Sequence, residues 1–140
     1  CITSKPSHLY FGDITRQGMP FYGGNIVYDM KFELEKKQKI WVRVPHFSAP
    51  VMQVVLDEKP RGLIAFSPHE LELGEQEAGV HRLEIRVYGN RFNSFGTLHN
   101  SNDEFKWYGP DSYRTRDSEW TEGWELRPFG ILSRVEILEA

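Results

Sequence analysis

Residues 25–35 (NIVYDMKFELE) alternate apolar and polar side chains almost without interruption. Ile26, Tyr28, Met30, Phe32 and Leu34 fall on one side. Asp29, Lys31, Glu33 and Glu35 fall on the other, with Val27 the exception. A period of two sends successive side chains to opposite faces, so the segment predicts a half-buried antiparallel strand. Residues 81–87 repeat the pattern, with Leu83, Ile85 and Val87 inward and Arg82, Glu84 and Arg86 outward. No window carries a long helical period. The nearest, residues 68–76, is short and broken by Gly74.

Further short strands follow from the same reading. Residues 35–38 (EKKQ) form a polar turn, and residues 39–44 present Ile40, Val42 and Val44 to one side. With 25–35 they suggest a hairpin, although the turn lacks glycine. Residues 51–56 are nearly all apolar and predict a buried strand, and residues 57–62 (DEKPRG) are rich in turn formers. Short strands are predicted at 63–66, 70–73, 124–126 and 133–138. Seven to nine such strands, with Gly and Pro mostly between them, predict one all-β domain, a sandwich spanning residues 1–140. A chain of 140 residues buries enough surface to fold without covalent staples.

Residues 89–128 break the pattern. They hold three of the four tryptophans, two tyrosines, three phenylalanines, four asparagines and one histidine, with no sustained period. A long loop is usually functional or disordered, and disordered segments are poor in aromatics. An ordered, aromatic-rich loop region is therefore expected. Flat rings beside amides and guanidiniums suit a ligand with CH faces and hydroxyls, such as a sugar.

Composition excludes several classes. Net charge is −3 with no strongly basic stripe, which argues against nucleic acid. No apolar run approaches the roughly 18 residues of a membrane span. The single cysteine, Cys1, rules out a disulfide within the chain. The five histidines are scattered, without the spacing of a zinc site. No cofactor is expected. The exception weighed is a structural calcium on the oxygen-rich run Asn100, Asn102, Asp103 and Glu104. That run does not match an EF-hand loop, and a solvated turn is the plainer reading.

One order of features resembles a known family. A strand and turn lead to Gly62, a short strand, Pro68, Leu71 and Leu73, then Gly79-x-His81-x-Leu83-x-Ile85. This is similar to the galactose-binding-like jelly-roll sandwich that serves glycoside hydrolases as a non-catalytic domain, as in family 2 enzymes. That family often has Asn-Gly at the turn and Asn where His81 stands; this chain has Asp57-Glu58 and His81. Residues 18–24 (GMPFYGG), 89–99 (GNRFNSFGTLH), 109–114 (GPDSYR) and 126–130 (LRPFG) resemble segments of large bacterial glycosidases and rhamnosidase-like proteins. The resemblance covers residues 18–132. It implies an accessory domain from the C-terminal part of a larger, exported glycosidase, periplasmic or extracellular. Its partners would be carbohydrate or the parent's catalytic domain.

The candidate site residues all lie in the loop region. Trp107, Tyr108, Trp120 and Trp124 are candidates to stack on a sugar ring, or else to fill the core. Asn90, Arg91, Asn93, His99, Asn100, Asp111 and Arg114 carry the donors and acceptors that hydroxyls need. The same residues also serve as turn caps and loop staples, and Asn90, directly after Gly89, reads most simply as a turn residue. A competing class is a stand-alone enzyme with a carboxylate pair drawn from Asp103, Glu104, Asp111, Asp117, Glu119, Glu122 and Glu125. A third is a purely structural module, which would bury every tryptophan.

Overall fold

A computed structural model of the chain describes residues 4, 6–102 and 109–139. Nine strands are present among them: β1 (Ile26–Leu34), β2 (Gln38–Arg43), β3 (Phe47–Ser48), β4 (Met52–Leu56), β5 (Lys59–Ile64), β6 (Glu70–Gln76), β7 (Gly79–Val87), β8 (Gly130–Ile131) and β9 (Glu136–Glu139). Every pairing is antiparallel. A four-stranded sheet runs β1-β7-β4-β5, a three-stranded sheet runs β6-β2-β9, and β3 pairs with β8. The fold is an all-β sandwich, as the alternation predicts.

The core explains the layering. Val54, Leu56, Leu83, Ile85 and Val87 from the larger sheet meet Ile40, Val42 and Leu73 from the smaller one. Ile14, Phe129 and Ile131 close one end of the same cluster. Each fully buried aliphatic side chain contributes about 1.5–3 kcal/mol of transfer free energy. The sheets therefore hold together by this shared apolar layer, with only β-ladders inside each.

The expected hairpin between residues 25–35 and 39–44 does not form. β1 pairs with β7, and β2 pairs with β6 and β9. Residues 35–37 carry the chain from one sheet to the other. Alternation shows which side chains face the core, but two facing sheets satisfy it as well as one. The turn also lacks the Gly or Asn that a tight hairpin favours.

Two other expectations shift. The turn at 57–62 shrinks to Asp57 and Glu58, at φ 49° and 65°, and β5 begins at Lys59. Left-handed backbone at both positions is the geometry of a tight two-residue hairpin. Asp57 suits it because its carboxylate accepts from the Arg82 N–H at 2.9 Å and lies 2.7 Å from His81 Nδ1. Residues 124–126 form no strand. Trp124 and Glu125 are exposed there, and Glu125 N–H makes a single backbone bond to Leu98 O at 2.9 Å.

Candidate functional site

The described part of the loop region is ordered by short local structure and by two long-range ties. β7 leaves the sheet at Gly89, where the chain crosses residues 23–24. A Cβ on Gly89 would lie 2.3 Å from the Gly23 carbonyl oxygen and 2.4 Å from that of Gly24, so only glycine fits. Gly89 N–H donates to Asn25 Oδ1 at 3.0 Å, and Ser94 Oγ donates to Phe21 O at 2.8 Å. A single helical turn, α1 (Phe92–Phe95), follows.

Within α1, Asn93 is only 4% exposed. Its Nδ2 donates to Arg127 O at 2.7 Å, and its Oδ1 accepts from Arg127 N–H at 2.9 Å. One amide thus fastens the end of the loop region to its beginning. The Arg127 guanidinium lies over the Phe92 ring at 3.9 Å, which adds a cation–π contact.

Residues 99–101 and 119–121 form a small antiparallel ribbon. Thr121 N–H donates to His99 O and Ser101 N–H to Glu119 O, both at 2.8 Å, around an Asn100–Trp120 bridge. Asp117 sits at φ 104° at the turn into this ribbon. Its carboxylate accepts from Glu119 N–H at 2.9 Å and from Arg114 Nη1 at 2.8 Å. The Glu119 N–H chiefly holds the Asp117 carboxyl below its usual range; partial burial opposes it and Arg114 assists. Arg114 also meets Glu119 at 2.5 Å.

These ties line up a row of rings. Phe21 meets Trp124 edge-on at 4.9 Å, Trp124 meets His99 at 4.5 Å, and His99 stacks on Trp120 at 5.9 Å. All three separations fall in the range of favourable aromatic pairs. His99 Nδ1 lies 2.9 Å from Thr121 O. A carbonyl only accepts, so Nδ1 carries the proton and fixes the ring in the row. Trp124 is 57% exposed and Phe21 45%. Large rings left open side by side form an apolar face on the surface.

Beside the row runs a shallow groove of about 210 Å³, lined by residues 96–99 and 112–115. The exposed Tyr113 stands at its rim, with its hydroxyl donating to Phe95 O at 3.3 Å. Thr97 Oγ1 and both side-chain amide atoms of Asn100 are buried without a hydrogen-bond partner among the described residues. Buried polar groups are nearly always paired, so these are unusual.

The predicted site residues divide into three groups. His99, Trp120 and Trp124 come together, with Asn100 and Arg114 close by in the same ribbon and turn. Asn90 accepts from Phe92 N–H at 3.0 Å and is the turn residue its position suggests. Asn93 is a clamp, and Arg91 and Asp111 are exposed. Trp107 and Tyr108 lie outside the described residues, as do Asp103 and Glu104 of the candidate calcium run. Of the candidate catalytic carboxylates, Asp117 and Glu119 bind Arg114, and Asp111, Glu122 and Glu125 are exposed. Phe21 was missed. Its signal was the Phe21-Tyr22 pair between Pro20 and Gly23, about 100 residues before Trp124.

No family model matches the chain, and no curated protein matches it. Its fold is similar to part of a solved rhamnosidase from Novosphingobium sp. PP1Y, with TM-score 0.67 and 21% identity. That match covers 93% of this chain and 12% of the rhamnosidase. A GH2 beta-galacturonidase from Eisenbergiella tayi overlaps less fully in its glycerol-bound and galacturonate-bound structures. Both give 29% identity over 66% of this chain and 16% of that one, at TM-scores 0.47 and 0.46. Among the described residues, no helix is long and apolar enough to cross a membrane.

Proposed function

We propose that this chain is a non-catalytic accessory domain of a larger, exported glycoside hydrolase, and that its aromatic face docks on the parent protein. The observation that carries the docking is the open row of Phe21 and Trp124, backed by His99 and Trp120. The coverage supports the accessory role: nearly the whole chain corresponds to a small share of a rhamnosidase. The polar residues add to it from the other side. Asn93 spends both amide atoms on the chain itself, Asn90 its amide oxygen, and Arg114 its guanidinium on Asp117 and Glu119, leaving few for sugar hydroxyls. A purely structural module fits less well, because it would not leave Trp124 open.

A second reading keeps glycan binding. The groove beside Tyr113 favours it, because Thr97, which lines it, has its Oγ1 buried and lacking a partner among the described residues.

Tryptophan fluorescence and NMR shift mapping against mono- and oligosaccharides separate the two. Docking predicts no saturable response to sugar in the folded chain. It also predicts binding of an apolar dye that falls in Trp124→Ala and Phe21→Ala. A saturable sugar response mapping to residues 96–99 and 112–115, and lost in Thr97→Val, would replace docking with the glycan reading.

A further inference from the structure

Four strand edges bound the two larger sheets, and they are not equally protected. β5 carries Pro60 beside a register shift at Val54/Val55. β6 carries Gly74 at φ 77° opposite a shift at Ile40/Trp41, and β9 has only four residues. Proline, bulges and shortness are the usual devices that keep an edge from pairing. β1 has none of them. It is nine residues long, regular throughout, and pairs only with β7 among the described residues. No backbone hydrogen bond joins its other edge to a second neighbour there. An open groove of about 480 Å³ runs along its first half, walled by Leu9, Tyr10 and Phe11. Val27, on this edge, is 54% exposed.

We propose that β1 is a dimerisation edge and that its occupant is β1 of a second copy, paired antiparallel about a two-fold axis at Met30. The strand is self-complementary about that residue. Asp29 of one copy falls opposite Lys31 of the other, twice. Tyr28 falls opposite Phe32, and Ile26 opposite Leu34, so the inner face stays apolar across the junction. Val27 falls opposite Glu33. The pairing uses all nine residues of the strand.

The charges select this register. A shift of one residue would place inward side chains opposite outward ones. A shift of two in one direction sets Lys31 against itself and Asp29 against Glu33. The same shift in the other direction sets Asp29 against itself. Of the three registers, only the one centred on Met30 pairs opposite signs, and it alone uses the whole strand; opposite charges directly across an antiparallel ladder are favourable where like charges are not. Within each copy Asp29 already holds Arg82, whose Nη2 lies 2.7 Å from Oδ2. Lys31 of the second copy approaches the same carboxylate. A lysine on an edge normally discourages pairing; here its partner is supplied by the symmetry. The result is an isologous two-fold interface with one continuous sheet of eight strands. The surface used is β1, apart from the Phe21–Trp124 row, so dimerisation and docking stand or fall separately.

Sedimentation equilibrium of the chain across micromolar to millimolar concentrations tests the proposal, with circular dichroism on the same samples to confirm folding. The wild type is expected to reach twice the chain mass. Lys31→Asp puts like charges in both cross-strand pairs and is expected to weaken association about ten- to hundredfold. Within one copy the new carboxylate faces Arg82, its β7 partner, so the monomer should tolerate it. The double variant Asp29→Lys, Lys31→Asp restores opposite charges in the dimer and is expected to recover association. Should the variants fold poorly, hydrogen exchange on the wild type serves instead: β1 amides gain protection with concentration if the edge pairs. A wild type that stays monomeric throughout overturns the proposal. So does a dimer that Lys31→Asp leaves unchanged, or exchange in β1 that is indifferent to concentration.

Discussion

Asn93 offers a clean separation between a residue that holds the site and one that forms it. Sequence alone places it among the sugar-binding candidates. The structure gives its amide two bonds to the Arg127 backbone, at 2.7 and 2.9 Å, from a side chain that is almost fully buried. Asn93→Ala removes both. Each such bond contributes about 1 kcal/mol net, and a polar group left buried without a partner costs about 1–3 kcal/mol more. Arg127 itself is exposed, so water reaches part of what is orphaned and the lower end applies. The expected loss is about 2–3 kcal/mol. For a domain of this size that lowers Tm by about 6–10 °C. Thermal unfolding followed by circular dichroism reads it directly, provided the transition is two-state. Asn93→Asp keeps the acceptor for Arg127 N–H but turns an oxygen towards Arg127 O. It should be destabilised near neutral pH and partly recover in acid, where a protonated carboxyl can donate. An Asn93→Ala protein that melts within a degree or two of the parent refutes the clamp. A ligand-binding role would show that flat Tm together with lost binding.

His81 and Asp57 make stability depend on pH in a definite direction. The Asp57 hydrogen bond, and then the Glu77 carbonyl at 2.9 Å from Nε2, raise His81 above its ordinary 6.5. A raised pKa means the contribution is whole below about 6.5 and is lost as pH climbs through the higher folded value. Tm should therefore fall as pH rises above about 6.5, and His81→Asn should flatten that slope; an unchanged slope removes His81 as the cause. For Asp57, burial is the largest single influence and pushes it up, but bonds from His81 and Arg82 N–H together outweigh it and hold it low. Its contribution is lost only as pH falls through a folded value below 3.8, so a second decline is expected in strong acid. Gly89→Ala drives a Cβ into two carbonyl oxygens and should cost about 1–3 kcal/mol while loosening Phe21 from Trp124. Chemical denaturation and tryptophan emission measure the two effects, and a neutral Gly89→Ala would mean the crossing of residues 23–24 and 89 is not tight.

The strands were legible because burial on one face writes itself into alternation. β1 and β7 could be read almost to the residue. Their partners could not. Leu34 and Ile40 both face the core, and alternation is blind to whether two inward-facing strands share a sheet or face each other across it. Register shifts hid β5 and the far half of β6, since Gly and Pro there read as turn signals while the backbone remained paired. β3 and β8, at two residues each, are too short to carry any period. What each residue of the loop region does was not legible. An asparagine that clamps backbone and one that meets a sugar present the same amide, and only the partner distinguishes them. The Asn93 and Asn90 amides found partners within the chain; that of Asn100 has none among the described residues. Phe21 illustrates the converse failure. It reaches Trp124 because Gly89 lets two segments cross, a contact set by topology rather than by spacing. What distinguishes the face from ordinary surface is therefore not its composition but its support. One backbone crossing, an amide clamp and an Arg114–Asp117–Glu119 network hold a solvent-facing row of rings in place. That much internal bonding behind an open apolar row is what the docking proposal rests on.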